Sequence, residues 1–512
     1  MERKEWWNRR CIRQSQPVHA AFLGAIIWGL VSQGMGLFNK FSSNDDIFQL
    51  FHIGSTITSG RWMLFLLEQA ENLLFGGHCS LPLLNGSFAI FCICLSAGLL
   101  TFMLRIRRPL LSALLGAFMV SFPTVTSLFG FMFTVHAYML AMLMMTASAY
   151  LICRPLWRAK GVGIVLGACA VGIYQAFLPI LLSVVLLYDI LDLTDNKKSL
   201  SSILSSFLAQ GICIVAVMGL YTAVNRLFLW KYALSLDSYM GISEAASTSP
   251  LIYLKRVSRA YQEFFLPSRQ VSWDMYPQRA HSFYILMLCT EGLMSVLLIR
   301  RTWQGSRGHG VLLALLMLLF PLGCNFIFVM SEQVHSLMVY AQVIQAVLFV
   351  SLFDRMEYSI SLARKAFSLC LILLLSGMCV IYARFDNQCY LKAEFQQQEA
   401  ISWNTELIAR VKSTKGYRDD LPIAWVNRYD LKDRTLYNMA ELSFLRLATY
   451  DYNMSEYISN YAWERFLAAW CGFKPDTVNP ESVSSWPDVQ SMPSYPADGS
   501  IQVISDVVIV KF

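Results

Sequence analysis

The chain has 512 residues, of which 56% are apolar and only 15% charged, with a net charge of +7 and a mean hydropathy of +0.47. Soluble domains hold about 45–50% apolar and about 25% charged residues, so the composition excludes a soluble globular protein and predicts a polytopic helical membrane protein. The positive charge is no nucleic-acid signature, because Lys and Arg cluster in short connectors between apolar runs, where the positive-inside bias places them.

The N-terminus, MERKEWWNRRCIRQSQ, is basic, and the apolar run after it is long and lacks a small-x-small exit, so it is expected to stay as an anchor. A span needs roughly 20 apolar residues to cross about 30 Å of hydrocarbon. On that measure spans are expected near 18–38, 81–104, 109–129, 131–152, 161–177, 178–193, 201–224, 281–299, 310–330, 336–353 and 366–384. The stretch 161–193 reads as one long helix or two short ones, and charge decides between them. With two, the basic connectors 105–108, 154–160, 197–198, 300–307 and 355–365 all fall on the side of the basic N-terminus. Eleven spans follow, with the N-terminus inside and the C-terminus outside.

That topology puts every long polar segment outside: 39–80, the turn at Tyr174-Gln175-Ala176, the loop 225–280, the connector 331–336 and everything after Arg384. The inner connectors are short and carry no Walker-type or G-x-G-x-x-G loop, which excludes a cytosolic nucleotide-binding domain. Two domains are expected: a transmembrane domain over 1–384 and a small extracytoplasmic α/β domain over 385–512. In the latter, 390–413 suits a helix, 422–426 and 501–510 suit strands, and Asp498-Gly499 is a turn signal before the last strand. Most cysteines sit in apolar runs as small hydrophobes; Cys79, Cys389 and Cys471 are the ones available for a disulfide outside.

The first outer segment carries the densest chemistry. Asp45 and Asp46 follow Ser43-Asn44 ahead of an apolar run, a helix-capping pattern. They are also adjacent carboxylates that could supply a general base, and neighbours on a helix diverge by about 100°, so at most one is a base and the other caps, orients or binds a cation. Downstream, 61–75 reads as an interfacial amphipathic helix: Arg61, Glu68 and Asn72 share a face, and Trp62, Phe65, Leu66, Leu73 and Phe75 lie largely elsewhere. Arg61 suits either headgroup contact or the phosphate of a lipid-linked substrate. Further polar groups gather at the same outer level: Thr134 and His136, Tyr174 and Gln175, Glu332 and His335. Loop 225–280 adds Arg226, Lys231, Lys255, Arg256, Arg259, Arg269 and Arg279, with His281 just beyond it, a cationic excess suited to an anionic ligand.

The acidic pair in the first outer loop, the interfacial helix, ten or more spans and an external C-terminal domain resemble the GT-C class of membrane glycosyltransferases. More narrowly, the chain resembles the bacterial type II O-antigen glucosyltransferases. The likeness rests on Asn44-Asp45-Asp46, Ser59-Gly60-Arg61-Trp62, Gly172-Ile173-Tyr174-Gln175-Ala176, and Asp386-Asn387 through Tyr390-Leu391-Lys392. It implies a polyprenyl-phosphate sugar donor, with glucose as the sugar, a surface-glycan acceptor, and inversion by single displacement at the outer face of the bacterial inner membrane. It further implies Asp45 or Asp46 as catalytic base and a substrate set of Arg61, Trp62, Glu68, Tyr174, Gln175, Lys231 and His335. No protein ligand set for a metal is assigned; a divalent cation (Mg²⁺ or Mn²⁺) bridging an Asp to the phosphate is compatible with the pair. Nucleic acid is not an expected partner. Two other functions fit the same composition. A surface-polysaccharide polymerase or ligase would centre on loop 225–280, and a lipid-linked sugar transporter would place polar groups at the bilayer midplane in repeated halves.

Overall fold

The computed structural model describes residues 2–54, 57–194, 199–236, 250–266, 278–355, 362–428 and 458–512. Lys197, Lys198 and Arg269 lie outside these residues, and so does the side chain of Arg279. The first half of the chain forms α1 (Glu2–Phe38), α2 (Asn44–Phe48), α3 (Trp62–Phe75), α4 (Pro82–Leu104), α5 (Pro109–Ser121), α6 (Pro123–Phe129), α7 (Val135–Ile152), α8 (Trp157–Ile173), α9 (Leu178–Thr194) and α10 (Leu200–Lys231). The second half forms α11 (Pro250–Phe265), α12 (Gln278–Gly305), α13 (Arg307–Cys324), α14 (Ile327–Met330), α15 (Val343–Arg355) and α16 (Leu362–Ser413). These are followed by β1 (Ile423–Val426), α17 (Asn460–Cys471), α18 (Pro480–Ser484), α19 (Pro487–Ser491), β2 (Ile501–Ile504) and β3 (Val507–Lys511).

Each of the eleven expected spans coincides with helix, but among the described residues eight helices are long and apolar enough to cross a membrane, or nine if α5 and α6 count as one bent span. The three shortfalls have separate causes. Pro123 forces Phe122 out of the helical region (ψ 126°), which bends α5 from α6 by 42°. Helix α8 ends after 17 residues, where Tyr174 turns extended. Helix α15 has 13 residues, and two short 3₁₀ turns occupy the residues expected to begin it. The break in 161–193 falls at Tyr174, so that stretch is two helices, as the charge pattern requires.

The described residues pack as two units, Met1–Lys40 with Phe51–Asn387 and Phe41–Leu50 with Gln388–Phe512. In the first, α1 lies against α4 and α5. The crossing with α5 is made possible by glycine: a Cβ on Gly116 would sit 2.1 Å from the carbonyl oxygen of Ala21, and one on Gly24 would sit 2.2 Å from that of Ala113. Helix α15 is buried from Val343 to Asp354, the expected state for a helix that is mostly apolar and carries only Gln345, Ser351 and Asp354 as polar groups within that stretch. Gln33 donates to the Val120 carbonyl (3.2 Å) and to the buried Asp386 carboxylate (3.4 Å), and it accepts from Thr126 (3.2 Å).

The second unit joins Phe41–Leu50 to the tail. Helix α2 packs on α17, with Ile47 inside a core built around Trp463, Phe466, Trp425 and Phe512. The sheet order is β1-β3-β2, with β1 parallel and β2 antiparallel to β3. The single strand expected over 501–510 is instead a hairpin. Ser505 and Asp506 both take positive φ (49° and 59°), the pattern of a two-residue I′ turn between Ile504 and Val507. The Asp498-Gly499 turn precedes β2, with Gly499 at φ 85°. No disulfide forms among the described cysteines. Trp463 is fully buried, lies edge-on to Trp425 at 4.8 Å and donates its indole N–H to Asn404 (3.1 Å). Trp463→Ala is therefore expected to cost about 3–5 kcal/mol, read as a lowered unfolding midpoint of the full chain in detergent with early proteolysis within 388–512.

Candidate functional site

In the helical unit, the site is built where four elements converge on the turn before α3. The 3₁₀ turn Ile57–Ser59 ends at Gly60 (φ 78°), a backbone conformation that favours glycine. Packing imposes glycine there a second time, since a Cβ would meet the Tyr221 hydroxyl at 2.4 Å and Gln175 Nε2 at 2.9 Å. Those two side chains grip the turn: Gln175 Nε2 donates to the Ser59 carbonyl (2.8 Å) and to Tyr221 Oη (3.1 Å), and Tyr221 donates to the Gly60 carbonyl (3.2 Å).

Held by that grip, Arg61 projects into an aromatic cage. Its Nη1 donates to Tyr138 Oη (2.9 Å), and its guanidinium carbon lies 5.9 Å and 5.6 Å from the Tyr138 and Tyr174 ring centroids. The two rings stack at 4.1 Å with 11° between planes, so the cation lies within reach of both rings' π-systems. Trp62 is buried against Gly172, where a Cβ would stand 2.6 Å from the indole, and near Phe228 (5.9 Å). Beyond Leu64, α3 turns an apolar surface outward: Leu66, Leu73, Leu74 and Phe75 are exposed, as suits a helix lying in a membrane interface.

Arg61, Trp62, Tyr174 and Gln175 are thus brought together, while the other sequence-chosen residues stand apart from the cage. Glu68 accepts from the Ile53 amide (3.3 Å) and lies 3.7 Å from His52. Lys231 ends α10, exposed, with its ammonium 5.3 Å from the Tyr232 ring centroid. His335 is exposed and caps a 3₁₀ turn. Two of the loop cations face the connector before it: Arg256 pairs with Glu332 at 3.8 Å, and Arg259 donates to its carbonyl (3.0 Å).

The acidic pair belongs to the other unit. Ser43 caps α2 by accepting from the Asp46 amide (3.3 Å), so the capping pattern is realised. Asn44 accepts from the backbone and hydroxyl of Ser459 (3.0 and 3.3 Å) and donates to Asp45 Oδ1 (2.8 Å). Arg465 adds a bond to the Phe48 carbonyl (3.1 Å). The pair divides as helix geometry demands, with Asp46 fully buried and Asp45 exposed.

Tyr138, Tyr221, Glu71 and His78 escaped the sequence reading. The tyrosines sit in apolar runs with nothing to mark them. Glu71 and His78 carried a faint signal, two ligand-type residues on either side of Gly76-Gly77. In the structure, Glu71 bridges two rings, with Oε2 2.5 Å from His78 Nδ1 and Oε1 2.8 Å from His136 Nε2. Burial pushes the Glu71 carboxyl up, but the hydrogen bonds and charge of His136 and His78 outweigh it and hold its pKa at about 2.

A bundle of long apolar helices, with a caged arginine at one end of a surface helix, defines a membrane protein. The chain belongs to the GtrII glucosyl transferase family: the family described as Glucosyl transferase GtrII matches residues 34–353, more than half of the chain. No curated protein and no solved structure matches it. The match contains α2, the Arg61 cage and the Glu71–His78–His136 cluster, and it ends before α16 and the sheet.

Proposed function

We propose that this family member transfers glucose from a polyprenyl-phosphate donor to a surface glycan at the outer face of a bacterial inner membrane, the N-terminus being inside and residues 385–512 outside. The observation that carries the reading is the Arg61 cage: a partly exposed cation, oriented by two stacked tyrosines on a glycine turn, at the start of a helix whose apolar residues face outward. An arginine so placed suits a phosphate that arrives on a lipid.

In the reaction the acceptor hydroxyl oxygen attacks the anomeric carbon from the face opposite the phosphate. The bond from that carbon to the phosphate oxygen breaks, its electron pair leaves with the phosphate, and configuration inverts. A carboxylate of the Asp45–Asp46 pair takes the acceptor proton, and Arg61 compensates the charge on the departing phosphate. Trp62, Tyr174 and Gln175 set the position of Arg61; Glu68, Lys231 and His335 are assigned to the glycan's approach. A divalent cation shared by the acidic pair and the phosphate is compatible with this scheme, which needs none.

The test is transfer in isolated membranes from labelled polyprenyl-phosphate glucose. Wild type is expected to label the surface glycan. Arg61→Ala should lower the rate by about 10²–10³-fold, the usual loss when one charge-stabilising donor is removed. Arg61→Lys should fall between, because an ammonium keeps the charge but not the planar fork. Membranes inert toward every monosaccharide donor, yet able to join pyrophosphate-linked glycans, would sink the proposal and favour a polymerase.

A further inference from the structure

We propose that Glu71, His78 and His136 form a binding site for one zinc-class divalent ion, which pins the end of α3 and the turn after it to the start of α7. Their ligand atoms all lie within 4.8 Å of one another. Two imidazoles and one carboxylate are a donor set of three-ligand zinc sites, which leave a fourth position for water or another group. The site does not depend on the donor or mechanism proposed above, and it differs from a cation shared by the acidic pair. Glu71 is ten residues beyond Arg61, or about 15 Å along the helix.

The local backbone is built to bring these groups together. Helix α3 ends at Gly76 (φ 77°), and Gly77 follows at φ 150°, so the chain reverses and returns His78 to Glu71 one turn before the helix end. A Cβ on either glycine would meet nothing within 4 Å, so crowding does not explain them; the backbone path does. His136 enters from the first turn of α7, the helix that also supplies Tyr138 to the Arg61 cage. The two rings lie nearly parallel, 15° apart, with centroids 5.7 Å from each other.

The far sides of the rings are closed off from solvent. His78 is 3% exposed, and its Nε2 and the Nδ1 of His136 are buried with no hydrogen-bond partner. Imidazole ligates metal through a single ring nitrogen in its neutral form, and here Nδ1 of His78 and Nε2 of His136 are the nitrogens that face the Glu71 carboxylate. Zinc at about 2.0–2.1 Å from each ligand spaces tetrahedral donors by roughly 3.3 Å, so the 2.5 and 2.8 Å pairs need to open by less than ~1 Å to admit the ion.

The experiment uses the full-length chain, purified in detergent and stripped with chelator, titrated with Co²⁺ and then with Zn²⁺ in competition. Wild type should bind one equivalent of Co²⁺, with the intense visible absorption of a low-coordinate site, and Zn²⁺ should displace it. Glu71→Gln, His78→Gln and His136→Gln should each weaken binding at least ~100-fold while eluting as monodisperse protein; His309→Gln, outside the cluster, should bind like wild type. Wild type that takes up no stoichiometric ion overturns the proposal, a result that needs no variant to fold. So does a His78→Gln/His136→Gln double variant that binds as tightly as wild type.

Discussion

Asp45→Asn is expected to reduce sugar transfer by about 10²–10⁴-fold, the range for loss of a positioned general base, while Asp46→Asn chiefly lowers the yield of folded protein. The two carboxylates share a five-residue helix but not an environment. Asp45 is exposed and receives one hydrogen bond from Asn44. Asp46 is fully buried at the third helical position, with its amide bonded to the Ser43 cap. A base must reach an incoming hydroxyl, and only the exposed carboxylate does so without unfolding α2. The measurement is transfer per mole of folded enzyme, with each variant quantified after size exclusion. Full activity in Asp45→Asn together with an inactive, well-folded Asp46→Asn would reverse the assignment. Full activity in both would leave the pair as a helix cap and move the base elsewhere.

Gly116→Leu is expected to abolish recovery of folded protein from membranes. The contact it breaks is with backbone, not with a side chain that can rotate away: the new Cβ would stand 2.1 Å from the Ala21 oxygen and 2.9 Å from the Ala25 nitrogen. Overpacking in a core costs about 1–3 kcal/mol when side chains can shift. Here α1 must separate from α5 as a whole, and the packing that holds membrane helices together is lost with it. Gly219→Leu on α10, where nothing lies within 4 Å of the added carbon, should express as wild type and serves as the matched control. Equal recovery of the two variants would show that the α1–α5 crossing is not close.

The helical membrane architecture was legible because it follows from local rules. Twenty-odd consecutive apolar residues must satisfy their backbone internally in lipid, and helix is how a single segment does so. The basic connectors around 161–193 showed that it holds two helices, whereas the bend at Pro123 inside the single span expected over 109–129 was not read from the sequence. The count of spans was less legible: whether 157–173 or 343–355 is long enough turns on one or a few residues at a helix end. Arg61, Tyr174 and Gln175 were visible because polar groups beside apolar runs are costly and stand out. Their partners Tyr138 and Tyr221 were not, since a tyrosine within an apolar helix looks like any packed aromatic until its hydroxyl is seen to meet the arginine or the glycine turn.

By itself, then, the sequence determined a multi-span helical protein with a small terminal α/β region, and it pointed to the segment that carries Asp45, Asp46 and Arg61. Tertiary structure alone decided how that segment divides. Residues 41–50 fold with the tail because Ile47 is buried in the Trp463 core and Asn44 is bonded to Ser459, over 400 positions away. Arg61 stays with the helices because Tyr138, Tyr174 and Tyr221 hold its turn. The Glu71–His78–His136 cluster likewise needs two chain segments to meet. The physical reason is common to all three: periodicity and capping act over a few residues, whereas burial and convergent hydrogen bonds join residues that sequence distance keeps apart.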